Sequence, residues 1–349
     1  MKKSFYLTMS LALCASLVAC KSNQPAQQGS SEQTHQKTAL SVGIVYDNGG
    51  LGDRSFNDGA AKGIAEAVKS LGIKSYPIES RSHSDYESNL TALAEKHVDL
   101  VFAVGMTMEK SVEKVASEFP QTKFAIIDAT VNLPNVRSLV FKEQEGSFLA
   151  GYIAGLVSQT KKVGFVGGME VPVILRFYSG FAAGAKAADH KLTVLPPKYT
   201  GDWANVDAAK TAANLLYAEG ADVLFQAAGR AGLGVLKAAK EQHKLAIGVD
   251  SNQDDLYPGF VLTSMIKLVD ISVYDTIKEV KEGHFKGGEK IFGLKEKGIG
   301  LSEMKHTRHL LTESDMKKLE QVQKEVVDGK IKVPSTPKEL KVYLKTIQK

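Results

Sequence analysis

Cysteine is scarce in this sequence: Cys14 and Cys20 are the two examples among 349 residues. Both lie within the first twenty residues, so the remainder of the chain has neither a disulfide bond nor thiol chemistry available to it. A chain of this length is held together by its hydrophobic core alone, because the fraction of surface that folding buries rises with size. We therefore expect a fold without covalent cross-links.

Several patterns that would indicate nucleic acid or nucleotide binding are also missing. The formal net charge is a modest +5, and the basic residues are scattered rather than grouped with aromatic residues. The sequence contains no helix-turn-helix of the kind that a transcriptional regulator needs, and no Walker-type phosphate loop. These absences argue against nucleic acid as a partner and against a phosphorylated ligand.

The sequence offers little for catalysis or metal binding. Its eight histidines are dispersed, and His306 and His309 have no third ligand nearby in the sequence. No serine, histidine and aspartate can be combined into a triad. We expect no catalytic residues, no metal and no cofactor.

The N-terminus has the three parts of a secretory signal. Lys2 and Lys3 precede a short apolar stretch at 5–18, and Leu17 lies three residues before Cys20. The stretch is shorter than the roughly 20 residues of a membrane span. The motif resembles the bacterial lipobox, which implies a signal peptide at 1–19, cleavage before Cys20 and lipid, such as palmitate, on that cysteine. The expected location is the extracytoplasmic face of the cell membrane.

Residues 20–39 predict a flexible linker. The segment is rich in Ser, Gln, Thr and Gly and has no apolar periodicity, so it cannot bury enough surface to become ordered. A random chain of that length spans about 25 Å. The linker would therefore tether the folded part close to the lipid.

From residue 40 onward, apolar runs alternate with helical patterns. Strands or extended segments are predicted at 41–47, 74–79, 99–105, 123–128, 163–167, 192–196, 222–228, 245–250, 259–264 and 290–294. Helices are predicted at 55–71, 85–96, 108–119, 144–158, 172–188, 205–219, 232–242, 270–282 and 314–328. Such alternation is typical of parallel sheets covered on both faces. The pattern predicts an α/β fold of two Rossmann-like lobes with a ligand cleft between them.

Two local sequence features predict specific structural details, a helix cap and a close helix contact. Ser55 with Asp58 three residues later predicts a capping box at the start of the first helix. Gly151 and Gly155 are spaced one helical turn apart, which favours close helix packing inside a lobe over membrane association.

Aspartates follow apolar runs in both halves of the chain. Asp47, Asp128 and Asp250 each end such a run, as does Gly105. Ligands of open parallel sheets bind at the carboxyl ends of the strands, so these residues should converge on one cleft. Carboxylates accept hydrogen bonds from paired hydroxyls or ring N–H groups and repel anions. The pattern predicts a neutral polyol or nucleoside as ligand.

Aromatic and glycine residues add to this interpretation. Phe56 and Phe225 follow or end strands, where two rings could stack on a flat heterocycle, although ordinary core packing explains either one equally well. The segment 229–234, which includes Gly232, lies between a strand and a helix and could bring backbone N–H groups near a ligand.

A set of collinear motifs resembles one family. The motifs are Asp-Asn-Gly-Gly at 47–50, Asp-Arg-Ser-Phe-Asn at 53–57, Ile-Asp at 127–128, Gly-Phe-Val-Gly-Gly-Met-Glu at 164–170, Phe-Gln at 225–226, Ala-Gly at 228–229, Ile-Gly-Val-Asp at 247–250 and Leu-Thr-Ser-Met-Ile-Lys at 262–267. Together they resemble the basic membrane protein (Bmp) family of substrate-binding lipoproteins, which includes purine nucleoside receptors.

The resemblance implies a type I periplasmic-binding-protein fold that closes on adenosine, guanosine or inosine and delivers it to an ABC permease. The expected lobes are 40–142 plus about 268–288, and 143–267 plus about 289–349. Phe56 and Phe225 would flank the purine, Asp128 would bind the base edge, and Asp250 would hold ribose hydroxyls beside Lys267. The implied ligand-binding residues are Asp47, Phe56, Asn57, Gly105, Asp128, Phe225, Gly232, Asp250 and Lys267.

One segment departs from the family pattern, and other functions stay open. Arg230 and Ala231 stand where the family commonly has glycine and threonine, so Arg230 either alters the pocket or points to solvent. A receptor for sugars or other small molecules and a surface adhesin are alternatives. A nucleoside hydrolase is less favoured.

Overall fold

The computed structural model describes residues 39–347. Within them, two separate β-sheets, each flanked by helices, form two lobes. The predicted α/β fold of two lobes is confirmed. The expected signal peptide at 1–19, Cys20 and the linker up to residue 38 lie outside the described residues.

The first lobe is built on a six-stranded parallel sheet. Its strand order is β12-β5-β4-β3-β1-β2, with strands numbered in chain order. A strand such as Leu100–Val104 is apolar throughout and completely buried, as expected where helices cover both faces of a sheet. The strands are β1 Ser41–Tyr46, β2 Lys74–Glu79, β3 Leu100–Val104, β4 Lys123–Ile127, β5 Val136–Phe141 and β12 Gly288–Phe292.

The second lobe is built on a seven-stranded sheet. Its main path is β13-β11-β10-β9-β6-β7, and the short β8 also pairs with β6. The one antiparallel neighbour in this described sheet is β13, which pairs with β11. The strands are β6 Lys162–Gly167, β7 Thr193–Val194, β8 Lys198–Tyr199, β9 Val223–Ala227, β10 Leu245–Asp250, β11 Val261–Lys267 and β13 Ile299–Leu301.

Most helices pack on the sheet of their own lobe, whereas α8, α9 and α10 pack on other helices of their lobe. Those of the first lobe are α1 Phe56–Leu71, α2 Tyr86–Glu95, α3 Glu109–Glu118 and α8 Val269–Lys281, which lies against α1. Those of the second lobe are α4 Glu143–Val157, α5 Pro172–Ala188, α6 Val206–Ala218, α7 Leu233–Glu241, α9 Glu313–Val327 and α10 Pro337–Ile347. Within the described part of the chain, no helix is both long enough and apolar enough to cross a bilayer.

The chain passes between the lobes three times. It leaves the first sheet after β5, returns after β11 and leaves again after β12. The third passage begins later than expected: β12 pairs with β5 of the first sheet, so that sheet extends to Phe292 rather than to 288. Backbone hydrogen bonds join the passages, from Lys142 N to Phe292 O at 2.8 Å and from Leu268 N to Gly298 O at 2.9 Å.

Four strands or helices lie outside the predicted segments, namely β5, β8, β13 and α10. Strand β5 is interrupted by Arg137 and Ser138, which hides its extended pattern. Both side chains are nevertheless buried and paired, since Arg137 donates to Lys286 O and Ser138 Oγ accepts from Val131 N. Helix α10 lies beyond the helix that we expected to be last.

Small residues allow α4 and α5 to pack closely. A Cβ added to Gly151 would lie 2.0 Å from Phe181 O, and one added to Gly184 would lie 1.9 Å from Phe148 O. These distances leave no room for a side chain. The pair formed by Gly151 and Gly155 therefore packs inside the second lobe, as predicted.

Candidate functional site

A cavity lies between the lobes at the carboxyl ends of both sheets. About 580 Å³ of empty space lies between its walls, and part of that space is open to solvent. Both lobes contribute aspartates and aromatic rings. The lining residues are Asp47, Gly49, Asp53, Phe56, Asn57, Gly105, Met106, Thr107, Asp128, Val173, Ile174, Phe177, Trp203, Ala227, Gly229, Val249, Asp250 and Lys267.

Asp47 is held in place by the turn that follows β1. Its Oδ1 accepts hydrogen bonds from Asn57 Nδ2 at 2.7 Å and from Gly49 N at 2.9 Å. Burial raises the pKa of Asp47 to about 6, although the hydrogen bond from Asn57 opposes the shift. Asn57 Oδ1 is buried and accepts no hydrogen bond from any described residue, so it is available to a ligand donor.

The start of α1 is capped by Asp53 rather than by the predicted capping box. Asp53 Oδ2 accepts from Asn57 N at 2.8 Å, and Asp53 Oδ1 accepts from Ser55 N at 2.9 Å. Ser55 precedes the helix but makes no side-chain cap. The expected box of Ser55 and Asp58 is wrong because the Ser55 hydroxyl is engaged elsewhere.

Ser55 joins the lobes instead. Its Oγ donates to Asp250 Oδ2 at 2.6 Å, and its carbonyl accepts from Ser251 Oγ at 3.2 Å. Gln253 Nε2 of the second lobe also donates to Arg54 O at 3.0 Å. The ends of β10 and the start of α1 therefore contact each other across the cleft.

Asp128 and Asp250 both have left-handed backbones. Their φ angles are 71° and 63°, which lie in the left-handed region that residues other than glycine, asparagine and aspartate rarely adopt. Asp128 directly follows β4, and Asp250 is the last residue of β10, so both carboxylates lie at the carboxyl ends of strands and line the cavity. Such local backbone strain is concentrated at binding sites.

Burial also changes the ionisation of Asp250. It raises the pKa of this carboxyl to about 7, while Lys267 and the hydrogen bond from Ser55 oppose the shift. Near neutral pH, Asp250 therefore exchanges between its charged and neutral forms.

Lys267 forms the floor of the cavity. Its Nζ lies 2.6 Å from both carboxylate oxygens of Asp128 and 3.2 Å from Glu143 Oε1. Burial alone would lower its pKa, but the carboxylates of Asp128, Glu143 and Asp250 raise it above the usual value. The ammonium is thus charged and already paired with protein carboxylates.

The phenylalanine rings that line the cavity are Phe56 and Phe177, not Phe56 and Phe225. Lys267 Nζ lies 5.1 Å from the ring centre of Phe56 and 5.7 Å from that of Phe177. Phe225 does not line the cavity: it is fully buried, with its ring centre 5.4 Å from that of Phe181. Side chains alternate along a strand, and Phe225 faces the core side of β9.

Gly105 and Gly232 were both predicted to lie at the ligand, but the structure places one of them at the cavity. Gly105 lines the cavity with a φ of 117°, and a Cβ there would lie 3.4 Å from Asp47 Oδ2. Gly232 does not line the cavity. A Cβ on Gly232 would lie 1.9 Å from Gln226 Oε1, so a larger residue there would displace the buried Gln226 side chain within the second lobe.

Arg230 points across the mouth of the cleft rather than to solvent. Its guanidinium donates to Leu51 O of the first lobe. It also lies close to the glycine turn that contains Gly50 and Gly52, both with positive φ. The departure from the family pattern therefore creates a contact between the lobes.

Trp203 and Phe177 are cavity residues that the sequence argument missed. Trp203 is the one tryptophan of the chain, and its Nε1 is buried without an acceptor among residues 39–347. Phe177 lies on α5, which follows the glycine-rich end of β6. Extending the strand-end rule to the helix after β6 would have identified Phe177, whereas Trp203 lies in a loop that no periodic pattern marks.

The arrangement suits binding of a neutral ligand. The carboxylates accept hydrogen bonds, the rings offer apolar faces, and Lys267 is neutralised by its partners. Across residues 39–347, no group of three or more histidine, cysteine, aspartate or glutamate side chains is arranged to hold a metal ion.

Comparison with known proteins finds relatives along most of the chain. Residues 40–337 match the family described as "Bmp: ABC transporter substrate-binding protein PnrA-like". The chain is 36% identical to the CD4+ T-cell-stimulating antigen of Listeria innocua, over 96% of this chain and 99% of the relative. It is 33% identical to the ABC transporter nucleoside-binding protein BmpA of Lactococcus lactis, over 96% of this chain and 100% of the relative.

A solved structure has the same architecture. The solute-binding protein of an ABC transporter system from Aeropyrum pernix superposes with a TM-score of 0.81 at 29% sequence identity. The match covers 88% of this chain and 97% of that protein, so both lobes take part in it.

Proposed function

This chain belongs to the Bmp family of PnrA-like ABC transporter substrate-binding proteins, and from that premise we propose that it binds purine nucleosides between its lobes. Adenosine, guanosine and inosine are the proposed ligands, and an ABC permease receives them. The observation that carries the proposal is that Phe56 and Phe177, from opposite lobes, line one cavity together with aspartates from both lobes, namely Asp47, Asp128 and Asp250. The name of the Lactococcus relative, a nucleoside-binding protein, supports the same ligand class.

The proposed contacts follow the chemistry of a nucleoside. A purine is flat, so it stacks between the rings of Phe56 and Phe177 in offset geometry. Asp250 accepts hydrogen bonds from ribose hydroxyls through the oxygen that Ser55 leaves free. Asp47 and Asn57 face the ligand from the first lobe, and Asp128 accepts from the base edge.

Charge favours nucleosides over nucleotides. Of the lining residues in the described chain, Lys267 is the one that is positively charged, and Asp128 and Glu143 already neutralise it. A phosphate group would meet Asp47, Asp53 and Asp250 without a free cation to balance it. We therefore expect nucleoside monophosphates to bind far more weakly than nucleosides.

The proposed location is the extracytoplasmic face of the membrane, with lipid on Cys20 and residues 20–39 as tether. The support is the order of Lys2 and Lys3, the apolar stretch and the lipobox-like residues before Cys20. Metabolic labelling with palmitate tests it: label should enter the wild-type protein and not the Cys20→Ala variant. Label retained in that variant would exclude Cys20 as the acceptor.

Calorimetry on the chain from Lys21 to Lys349 tests the ligand. Adenosine, guanosine or inosine should bind with one site per molecule, whereas ribose, glucose and the monophosphates serve as comparison ligands. Absence of heat with every nucleoside would refute the proposal, and tighter binding of a sugar would favour a sugar receptor. Incubation with inosine should release no hypoxanthine, because release would indicate a hydrolase.

A further inference from the structure

Four charged side chains form a chain of ionic contacts that starts at the cavity floor, with Lys267 and Glu143 fully buried and Asp128 and Arg176 partly buried. Lys267 Nζ lies 2.6 Å from Asp128 and 3.2 Å from Glu143 Oε1, and Glu143 Oε2 accepts from Arg176 Nε at 2.6 Å. Asp128 belongs to the first lobe, and Arg176 lies on α5 of the second. The chain of charges thus connects the two lobes through Glu143 and Lys267.

Glu143 lies where the polypeptide passes between lobes. It is the first residue of α4, directly after the first passage, whereas Lys267 is the last residue of β11, directly before the second. Glu143 is completely buried and does not line the cavity. Its carboxylate therefore acts on the ligand through Lys267 and not by direct contact.

The same turn of α4 also holds the third passage. Glu145 Oε2 accepts from Leu294 N at 2.9 Å, and Lys142 N donates to Phe292 O at 2.8 Å. All three passages are therefore linked to residues 142–145, and a rotation of one lobe must move this turn.

The buried carboxylate of Glu143 has two cationic partners, Lys267 and Arg176. A buried carboxylate is costly unless cations compensate for the loss of water, and removing one partner of such a group is strongly unfavourable. Glu143 Oε1 lies at ion-pair distance from Lys267 but accepts no hydrogen bond from the described residues. Lys267 is therefore shared between Asp128 and Glu143, and a shift of the α4 turn changes that balance.

We propose that Glu143 is a positioning residue that couples closure of the lobes to the placement of Lys267 and Asp128 in the binding cavity. When the lobes are together, Glu143 holds Lys267 against Asp128 and so fixes the cavity floor. The nucleoside part of this inference rests on the proposed function, whereas the coupling to lobe closure does not.

The distance between the lobes measures the coupling directly. The described chain contains no cysteine, so Lys110→Cys on α3 and Lys237→Cys on α7, both exposed, provide one spin-label site in each lobe. Without ligand, Glu143→Gln should broaden the interlobe distance distribution and move it to longer values. With nucleoside, the dissociation constant should rise about tenfold, as expected for a moderate coupling between sites. Glu241→Gln, which breaks an exposed ion pair in the second lobe, should change neither quantity.

The outcomes separate coupling from simple destabilisation. A Glu143→Gln protein with a lower melting temperature but unchanged distances and affinity would overturn the inference. If that variant does not fold, Arg176→Met removes the outer cation and should give the same broadening, and unchanged distances there would equally overturn it. Failure of wild-type protein to bind any nucleoside would refute the proposed function, while the ligand-free distances would still decide the coupling.

Discussion

Ser55 and Asp250 share a hydrogen bond of 2.6 Å across the cleft, although 195 positions separate them in the sequence. Ser55 precedes the first helix of one lobe, and Asp250 ends a central strand of the other. The bond occupies one oxygen of the carboxylate and leaves the second for a ligand. Asp250 thus takes part both in lobe contact and in the proposed recognition of ribose.

Replacing Asp250 with alanine should weaken nucleoside binding by about 2–5 kcal/mol, because a buried charged acceptor is lost and its donors remain unpaired. Calorimetry with the preferred nucleoside measures the change. Asp255→Ala is the matched control, since Asp255 is exposed in the loop after β10 and pairs only with surface groups. Equal affinity in wild type and Asp250→Ala would show that another carboxylate binds the sugar.

Nucleoside affinity should rise with pH between about 5 and 8. Burial raises the pKa of Asp250 to about 7 and that of Asp47 to about 6, so both carboxyls become protonated in mild acid and lose acceptor capacity. Titrations at several pH values measure this, and Asp250→Asn should flatten the limb near pH 7. An affinity that stays constant across the range would contradict the assignment.

The stability of the ligand-free protein should depend on pH in the opposite direction to nucleoside affinity. Between the pKa of an unfolded aspartate, about 4, and the folded value of about 7 for Asp250, the folded protein holds a proton that the unfolded chain has lost. The contribution of this group to the free energy of unfolding therefore falls as pH rises through that window. Asp250→Asn should gain stability relative to wild type from pH 5 to 8 in ligand-free thermal unfolding.

Phe177 and Phe225 should respond differently to the same substitution. Phe177→Leu removes a ring that lines the cavity, so binding should weaken by about 1 kcal/mol while most of the apolar contact remains. Phe225→Leu should lower the melting temperature and leave the affinity of the folded protein unchanged, because Phe225 lies in the core. If Phe225→Leu weakened binding and Phe177→Leu did not, Phe225 would flank the ligand, as the sequence analysis predicted.

Arg230 should lengthen the residence time of the ligand. Its contact with Leu51 O closes the mouth of the cleft, so Arg230→Ala should raise the dissociation rate by roughly tenfold and leave the association rate nearly unchanged. The fluorescence of Trp203, the one tryptophan of the chain, provides a stopped-flow signal at the site. Arg308→Ala, in an exposed ion pair of the second lobe, serves as the control.

Close packing of α4 on α5 should not tolerate a methyl group. Gly184→Ala places a Cβ 1.9 Å from Phe148 O, so the helices must separate, and we expect a loss of about 1–3 kcal/mol or more in the free energy of unfolding. Gly300→Ala is the control, because nothing lies within 4 Å of a Cβ at that position. Denaturant unfolding of both variants measures the difference.

The features of the fold that the sequence predicted were those with a local periodic signal. Strands such as β3 are continuous apolar runs, and helices such as α1 have one apolar face. Strand β5 has no such signal, since Arg137 and Ser138 interrupt it. Ser138 is paired by the nearby Val131 N, whereas Arg137 becomes acceptable through Lys286 O, 149 positions away in the sequence.

The candidate site shows the same difference between residues that have a local sequence signal and residues that do not. Asp47, Gly105, Asp128 and Asp250 were predicted because a residue after a parallel strand reaches the cleft whatever the details of the fold. Phe225 was misplaced because β9 is buried along its whole length, so its sequence does not reveal which face of the sheet each side chain occupies. Ser55 was assigned to a helix cap because its partner, Asp250, becomes adjacent only when the lobes meet.

The late position of β12 sets the order in which the lobes can be completed. The edge strand of the first sheet comes from residues 288–292, after β6 to β11 of the second sheet have been synthesised. Until then, β5 has an open edge, and α1 gains its neighbour α8 only after residues 269–281 have been synthesised. During synthesis, the first lobe is therefore completed only after most of the second lobe has been made. A chain that stops before residue 288 contains no complete lobe.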